Sequence, residues 1–137
     1  MSLLNIFDIA GSGMSAQALR LNTTASNLAN AESVSSSSAE TYRARQPVFS
    51  AVMKALGETP AGVGVQVDGI VESQAPVRHQ YEPGHPMANE SGYIFLPNVS
   101  MAEEMANMIS ASRSYQTNAE VAKTSKQLFM RTLSLGQ

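Results

Sequence analysis

His79 and His85 are the only imidazoles in this 137-residue chain. His85 stands in Pro83-Gly84-His85-Pro86 with Glu82 and Glu90 nearby, so the first chemistry to test is metal binding. A closed metal site needs three or four converging ligands, and a rigid proline-flanked turn supplies one. The better reading is a turn histidine hydrogen-bonded to backbone. Ser12 lies between Gly11 and Gly13, but a nucleophile elbow needs a strand–turn–helix setting and a partner base. The periodicity around Ser12 is helical and offers neither, so the two glycines read as points of close helix approach or slight bending. Gly62-Val63-Gly64 lacks the lysine and the helix start of a phosphate cradle. Glu103 and Glu104 are neighbours, so a helix turns them to different faces as capping and surface groups. With no cysteine there is no thiol chemistry and no disulfide framework. The expectation is a non-enzymatic chain with no metal and no cofactor.

What remains is the scaffold. Residues 5–30 carry only two ionised side chains, Asp8 and Arg20. Apolar or small residues recur there at Phe7, Ala10, Met14, Ala18, Leu21, Ala25 and Leu28, in steps of three or four, as on a helix stripe or coiled-coil seam. The opposite face holds Ser12, Ser15, Gln17, Asn22, Thr23, Ser26 and Asn27, small groups that admit another backbone closely. A helix seamed on one side and uncharged on the other is built to be covered all round. Neighbouring subunits are expected to provide the cover.

Beyond it, Ser33 to Ser38 is a polar run that reads as a flexible connector. All six prolines then fall between Pro47 and Pro97, and six of the nine glycines between Gly57 and Gly92. That composition predicts strands and turns rather than helix, apart from a short helical turn over residues 49–56. Val63, Val65 and Val67 alternate with Gly64, Gln66 and Asp68, the period of a strand. Residues 76–82 and 93–96 are further strands of a small lobe that is marginal without packing partners.

From Pro97 the pattern is helical again. Ser100-Met101-Ala102-Glu103 matches a capping box. Met101, Met105, Met108, Ser112, Tyr115, Ala119, Ala122, Lys126, Phe129 and Leu133 keep 4-3 spacing, with Lys126 the one poor fit. Gly136 suits the helix end. The predicted fold is mainly α: two long terminal helices paired as an antiparallel coiled coil, with a small β-rich or irregular inserted lobe. The divisions fall at 1–31, 32–97 and 98–137. The predicted helix-seam and assembly residues are Phe7, Met14, Leu21 and Leu28 on the first helix and Met101, Met105, Met108, Tyr115, Ala122, Phe129 and Leu133 on the second. The lobe is expected beyond one end of the helix pair. The methionines of this seam read as core, and also as a pliable surface able to accept unequal neighbours.

Composition removes several function classes. A net charge of −2 argues against nucleic-acid binding, which needs a basic stripe. No apolar run approaches the roughly 20 residues of a membrane-spanning helix, so direct membrane insertion is not expected. No Lys or Arg precedes Arg20, so no basic start of a cleavable secretory signal is present.

Four blocks in order give the chain a resemblance to the flagellar basal-body rod family, and to its proximal-rod members. The first runs Phe7-Asp8-Ile9-Ala10-Gly11-Ser12-Gly13-Met14 and on through Asn27-Leu28-Ala29-Asn30. The second is Tyr42-Arg43-Ala44-Arg45-Gln46-Pro47-Val48-Phe49. The third joins His85-Pro86-Met87-Ala88-Asn89-Glu90-Ser91-Gly92-Tyr93 to Pro97-Asn98-Val99. The fourth is Ser112-Arg113-Ser114-Tyr115-Gln116-Thr117-Asn118 through Leu133 to Gly136. Met87 departs from the acid more usual at its position, and the serine run replaces a more mixed segment. The resemblance implies a structural subunit of the proximal rod, in the periplasmic span of the basal body. It implies export without a cleaved signal by the flagellar type III apparatus, and helical assembly with itself and other rod proteins around the export channel. Torque would be transmitted by buried seams, with terminal helices that order on assembly. The competing reading is a non-catalytic helical adaptor or export chaperone holding a partner's helix. The scarcity of charge in residues 5–30 speaks against it.

Overall fold

A computed structural model describes residues 3–56 and 59–135 of the chain. The order is α1 (Leu3–Ala29), β1 (Arg45–Leu56), β2 (Thr59–Glu72), β3 (Arg78–Tyr81), β4 (Tyr93–Leu96) and α2 (Met101–Leu135). The predicted strands over 63–71, 76–82 and 93–96 correspond to β2, β3 and β4. The expected stop at Gly136 lies outside the described residues.

α1 runs without interruption because no proline breaks it, and at 1.5 Å per residue its 27 residues span about 40 Å. It ends where Asn30 turns its side-chain amide back onto the Ser26 carbonyl at 2.8 Å. α2 starts on the capping serine: the Glu104 amide donates to the Ser100 carbonyl at 2.9 Å, and the Glu103 amide reaches Ser100 Oγ at 3.5 Å.

The helices pack on each other, Arg20 donating to Asn107 Oδ1 at 2.9 Å. Gly13 lies so near Asn118 that an added Cβ would stand 2.9 Å from its Nδ2. Close approach is thus made at Gly13 and not at Gly11, which has open space around it. From Arg20 to Gly13 the position on α1 falls while its partner on α2 rises, so the helices run in opposite senses.

The seam between them differs from the predicted one. Among the described residues α2 buries Glu104, Ala111 and Ser125, and half-buries Asn107, Met108, Ser112, Ser114, Asn118, Ala119 and Ala122. Met101, Met105, Tyr115, Phe129 and Leu133 are exposed instead, so they do not line the intrachain seam. On α1 the buried residues are Ala10, Ala16, Thr23, Thr24 and Asn27, while Phe7, Met14, Leu21 and Leu28 are only half-buried. The cause is that α2 carries two rows at heptad spacing, one small and polar, the other apolar. The small row lets backbones approach, and buried hydroxyls find local acceptors, as Thr23 Oγ1 does on the Leu19 carbonyl at 2.9 Å. Met101, Met105 and Ile109 are left facing outward, while Val121, Leu128 and Leu135 are exposed although they keep heptad register with Asn107 and Ser114.

The inserted segment is also arranged differently. Residues 49–56 are strand, not a helical turn, and β1 and β2 form a long antiparallel hairpin from Arg45↔Glu72 to Leu56↔Thr59. At about 3.3 Å per residue its 12-residue first strand is as long as α1, and it lies along α1 instead of beyond the helix pair. Ser12 is the bracket: its hydroxyl donates to the Ile9 carbonyl at 2.8 Å and accepts the Val65 amide at 3.1 Å. Gly62, at φ +138°, comes so close that a Cβ there would stand 2.8 Å from Ile9 Cδ1. Only a residue without a side chain combines that backbone with that approach. Covered by α2 and the hairpin, α1 exposes Asp8, Ser15, Asn22 and Ala29, seven residues apart, with Ala25 beside them. Much of the cover expected from neighbours therefore comes from the chain itself.

The serine run is not a loose connector. Ser35 pairs with Phe95 through two backbone hydrogen bonds of 3.0 Å, adding a bridge to the free edge of β4. Ser35 Oγ and Thr41 Oγ1 both donate to the Ser37 carbonyl, at 2.8 and 2.7 Å. Its serines act as turn formers.

Candidate assembly surface

Where α1 ends, both sheets begin and α2 starts, two asparagines bind the segments into one junction. Asn27 is 1% exposed. Its Oδ1 accepts the Arg45 amide and the Tyr42 hydroxyl, both at 2.9 Å, and its Nδ2 donates to the Arg45 carbonyl at 2.8 Å. The primary amide thus imitates a neighbouring strand and fixes the first residue of β1 against the last turn of α1. Tyr42 also contacts Ser26 Oγ at 3.2 Å and carries the Arg45 guanidinium over its ring.

Asn98 repeats the device at the other helix. Its Oδ1 accepts the Ala44 amide at 2.8 Å and its Nδ2 donates to the Ala75 carbonyl at 2.9 Å. Pro97 is fully buried next to it, its carbonyl held by Arg78 Nε at 3.1 Å. Arg78 also reaches the Ala31 carbonyl, at 3.5 Å. Ala31, Ala44 and Val99 form the apolar centre, with Tyr42 packed against them. Pro47 is half-buried in β1 beside a cavity of about 330 Å³ that Arg20, Arg45 and the buried Glu104 also line.

The turn from residue 82 to 93 is a third rigid piece. His85 Nδ1 accepts the Met87 amide at 3.0 Å, and the His85 carbonyl accepts the Ala88 amide at 2.9 Å. His85 therefore serves the backbone of its own turn, with Pro86 exposed alongside. Asn89 Oδ1 accepts the amides of Ser91 and Tyr93 at 3.0 and 2.9 Å. Tyr93 meets Tyr81 and His79 edge-on, with ring centroids 5.2 and 5.9 Å apart. Gly92 closes the turn at φ +79°, where a Cβ would stand 2.8 Å from Tyr81 Cε2. Gly92→Ala combines a left-handed backbone with that overlap, at a cost of about 1–3 kcal/mol. We expect a lower melting temperature and faster amide exchange at Glu82, whose N–H donates to the Gly92 carbonyl at 2.9 Å. An unchanged exchange rate would mean that the turn is not held this way.

What the junction positions is a long apolar surface. Ten large apolar side chains of α2 are exposed, six of them by more than half: Met105, Ile109, Leu128, Met130, Leu133 and Leu135. A solvated helix carries charge there, so this row has the character of an interface. It continues past the start of α1. Every residue from Lys126 to Leu135 is exposed, and extending the Arg20–Asn107 and Gly13–Asn118 contacts residue for residue brings Leu3 opposite positions 124 to 128. About the last seven described residues of α2 thus project beyond α1, by about 10 Å.

The sequence singles out Tyr42, Asn89 and Asn98 only through a family likeness, Asn30 also as a helix stop and Asn27 also as part of the small, uncharged face of the first helix. Sequence reasoning missed Arg78, whose partners are the backbone carbonyls of Pro97 and Ala31 far along the chain, and it placed Glu104 on the surface, whereas that residue is buried at 6% exposure where α2 meets α1 and β1.

Comparison with known proteins speaks to the same segments. A family model described as "Flagella basal body rod protein" matches residues 7–34, and one described as "Flagellar basal body rod FlgEFG protein C-terminal" matches residues 90–135. These are α1 with its stop, and the lobe's last strand with α2. The flagellar basal-body rod protein FlgC of Salmonella typhimurium is 53% identical over 137 residues, covering all of both chains. FlgC of Buchnera aphidicola subsp. Acyrthosiphon pisum is 45% identical over 139 residues, again covering both chains, and FlgC of Aquifex aeolicus 43% identical over 132 residues, or 96% of each. A helix pair braced to present an outward apolar row, with likeness of this extent from end to end, places the chain in the FlgC family of flagellar basal-body rod proteins, as a structural subunit of the rod.

Proposed function

We propose that this subunit belongs to the proximal rod, the part of the drive shaft that crosses the periplasm. There α1 and α2 pair as an antiparallel coiled coil and pack helically around the export channel, with the hairpin and β3–β4 lobe wedged outward between subunits. Its partners are copies of itself and other rod proteins, and it reaches them through the flagellar type III export apparatus without a cleaved signal. The observation that carries this reading is the uncovered apolar row of α2, which has no function in an isolated chain.

Torque passes through such an assembly by geometry. Sliding one subunit past another exposes apolar area at about 25 cal/mol per Å², and the cost is summed over every subunit in the shaft. No reacting group is needed. The adaptor or chaperone reading would use the same row to hold one partner helix. Sedimentation and electron microscopy of the purified chain, alone and mixed with other rod subunits, separate the two. Polymeric or tubular species in the mixtures are expected. A monodisperse species indifferent to those subunits would overturn the rod reading.

A further inference from the structure

Glu104 is a buried acid without a donor. It is 6% exposed, and its backbone amide is satisfied by the Ser100 carbonyl. Among the described residues, however, no hydrogen bond or ion pair reaches its carboxylate. The dipole of α2 favours an acid in its first turn but supplies no partner, and a buried carboxylate left unpaired is costly. Its cavity of about 330 Å³ lies where α1, α2 and β1 meet, with the exposed Arg45, Gln46 and Phe49 at the mouth. Two cations share that cavity. Arg45 is committed to Glu72 at 3.1 Å and to the face of Tyr42. Arg20 has five N–H donors, and the acceptor it meets is the neutral Asn107 Oδ1 at 2.9 Å.

We infer that Arg20 changes partner, from Asn107 to Glu104, when a neighbouring subunit covers the mouth of this cavity. Asn107 and Glu104 are three residues apart on α2, so their side chains are neighbours on one face, with Cβ atoms about 5–6 Å apart. Turning the bonds of the Arg20 side chain carries its guanidinium over that distance without sliding either helix. While the mouth is open, water screens both charges, and an ion pair there gains little over two hydrated groups. Covering the mouth lowers the effective dielectric constant, and a fall from about 80 to about 20 strengthens the attraction about fourfold. A charge-assisted arginine–carboxylate pair then outcompetes a single bond to a neutral amide. The exchange ties α1 to the first turn of α2 beneath β1. A subunit is therefore stiffened at this joint as it is incorporated.

The trigger rests on the rod reading, whereas the exchange of partners is tested in the isolated chain, so the two can fail separately. Arg20→Met, Glu104→Gln and the double variant are made in the full chain, each with and without Asn107→Ala. Urea unfolding of all of them is followed by circular dichroism. With Asn107 in place, Glu104→Gln should raise the folding equilibrium constant about threefold or more, because it removes an unpaired buried charge. The effects of Arg20→Met and Glu104→Gln should then multiply to within about twofold. With Asn107→Ala, Arg20 has lost its neutral partner, and the two substitutions should become coupled by about tenfold. Coupling of that size with Asn107 in place would mean that Arg20 and Glu104 are already paired in the isolated chain. No coupling with Asn107→Ala would mean that Arg20 does not reach Glu104. Either result overturns the inference. In cells, Glu104→Gln should be depleted from purified basal bodies about fivefold relative to the native chain, although it is the more stable when isolated. Recovery at the native level, with the tenfold coupling present, would overturn the exchange on assembly and leave the rod reading intact.

Discussion

Asn27→Leu is expected to destabilise the chain by about 2–4 kcal/mol, more than any other single substitution in the α1–β1 interface. The side chain keeps its volume, so the loss is polar. The Arg45 amide and carbonyl and the Tyr42 hydroxyl each forfeit a partner at 2.8–2.9 Å. A buried backbone group left unsatisfied costs about 1–3 kcal/mol, whereas an ordinary exchanged hydrogen bond contributes about 1 kcal/mol. Two substitutions divide the effect. Tyr42→Phe removes only the hydroxyl and should cost about 1 kcal/mol, since Asn27 keeps both bonds to Arg45. Asn27→Asp keeps the acceptor for the Arg45 amide but sets a carboxylate oxygen against the Arg45 carbonyl, where the amide nitrogen donated. Its penalty should exceed that of Tyr42→Phe at neutral pH. Urea unfolding followed by circular dichroism measures all three. If Asn27→Leu and Tyr42→Phe proved equal, the strand-mimicking amide would contribute nothing beyond its tyrosine, and another contact would hold β1 to α1.

The same residue shows where the sequence was legible. Two long helices, their capping serine and the strands at β2, β3 and β4 follow from periodicity, proline placement and composition, signals local to each segment. The hairpin along α1 was not legible. β1 reads Arg45-Gln46-Pro47-Val48-Phe49-Ser50-Ala51-Val52-Met53, with no clean alternation, and its position depends on Asn27, Ser12 and Gly62, which lie elsewhere in the chain. The serine run misled for a related reason. A string of hydroxyls has the composition of a linker, yet each can serve a turn when a strand edge such as Phe95 is within reach. How α2 divides between an intrachain seam and an assembly face was not legible either, because periodicity marks its apolar positions without saying which face inward. Here the inward row is Glu104, Asn107, Ala111, Asn118 and Ser125, matched to a small-residue α1 at Gly13 and Thr23. A subunit that assembles with neighbours has a second interior, and periodicity alone cannot say which row belongs to which.

That division leads to opposite outcomes for two charges placed on one helix. Leu133→Glu, on the projecting end and 55% exposed, should leave the isolated chain's melting temperature unchanged, as surface substitutions usually do within about 0.5 kcal/mol. Ala111→Glu, at a position with no exposure, should prevent the helices from pairing, because an unpaired carboxylate cannot be buried against α1 without several kcal/mol of desolvation cost. In assembly the order reverses for the first variant. A leucine buried between subunits contributes about 1.5–3 kcal/mol, and a glutamate in its place adds its own desolvation cost. Together these amount to at least a hundredfold weaker contact at each subunit. Phe129→Glu, four residues back on the same row, should behave alike. Motility of cells in which each variant replaces the native chain, together with recovery of the variant in purified basal bodies, measures the effect. Leu133→Glu is expected to be stable, exported and absent from rods. Rods that incorporate it at the native level would show that α2's outward row is not an interface, and the ten exposed apolar side chains would then need another explanation.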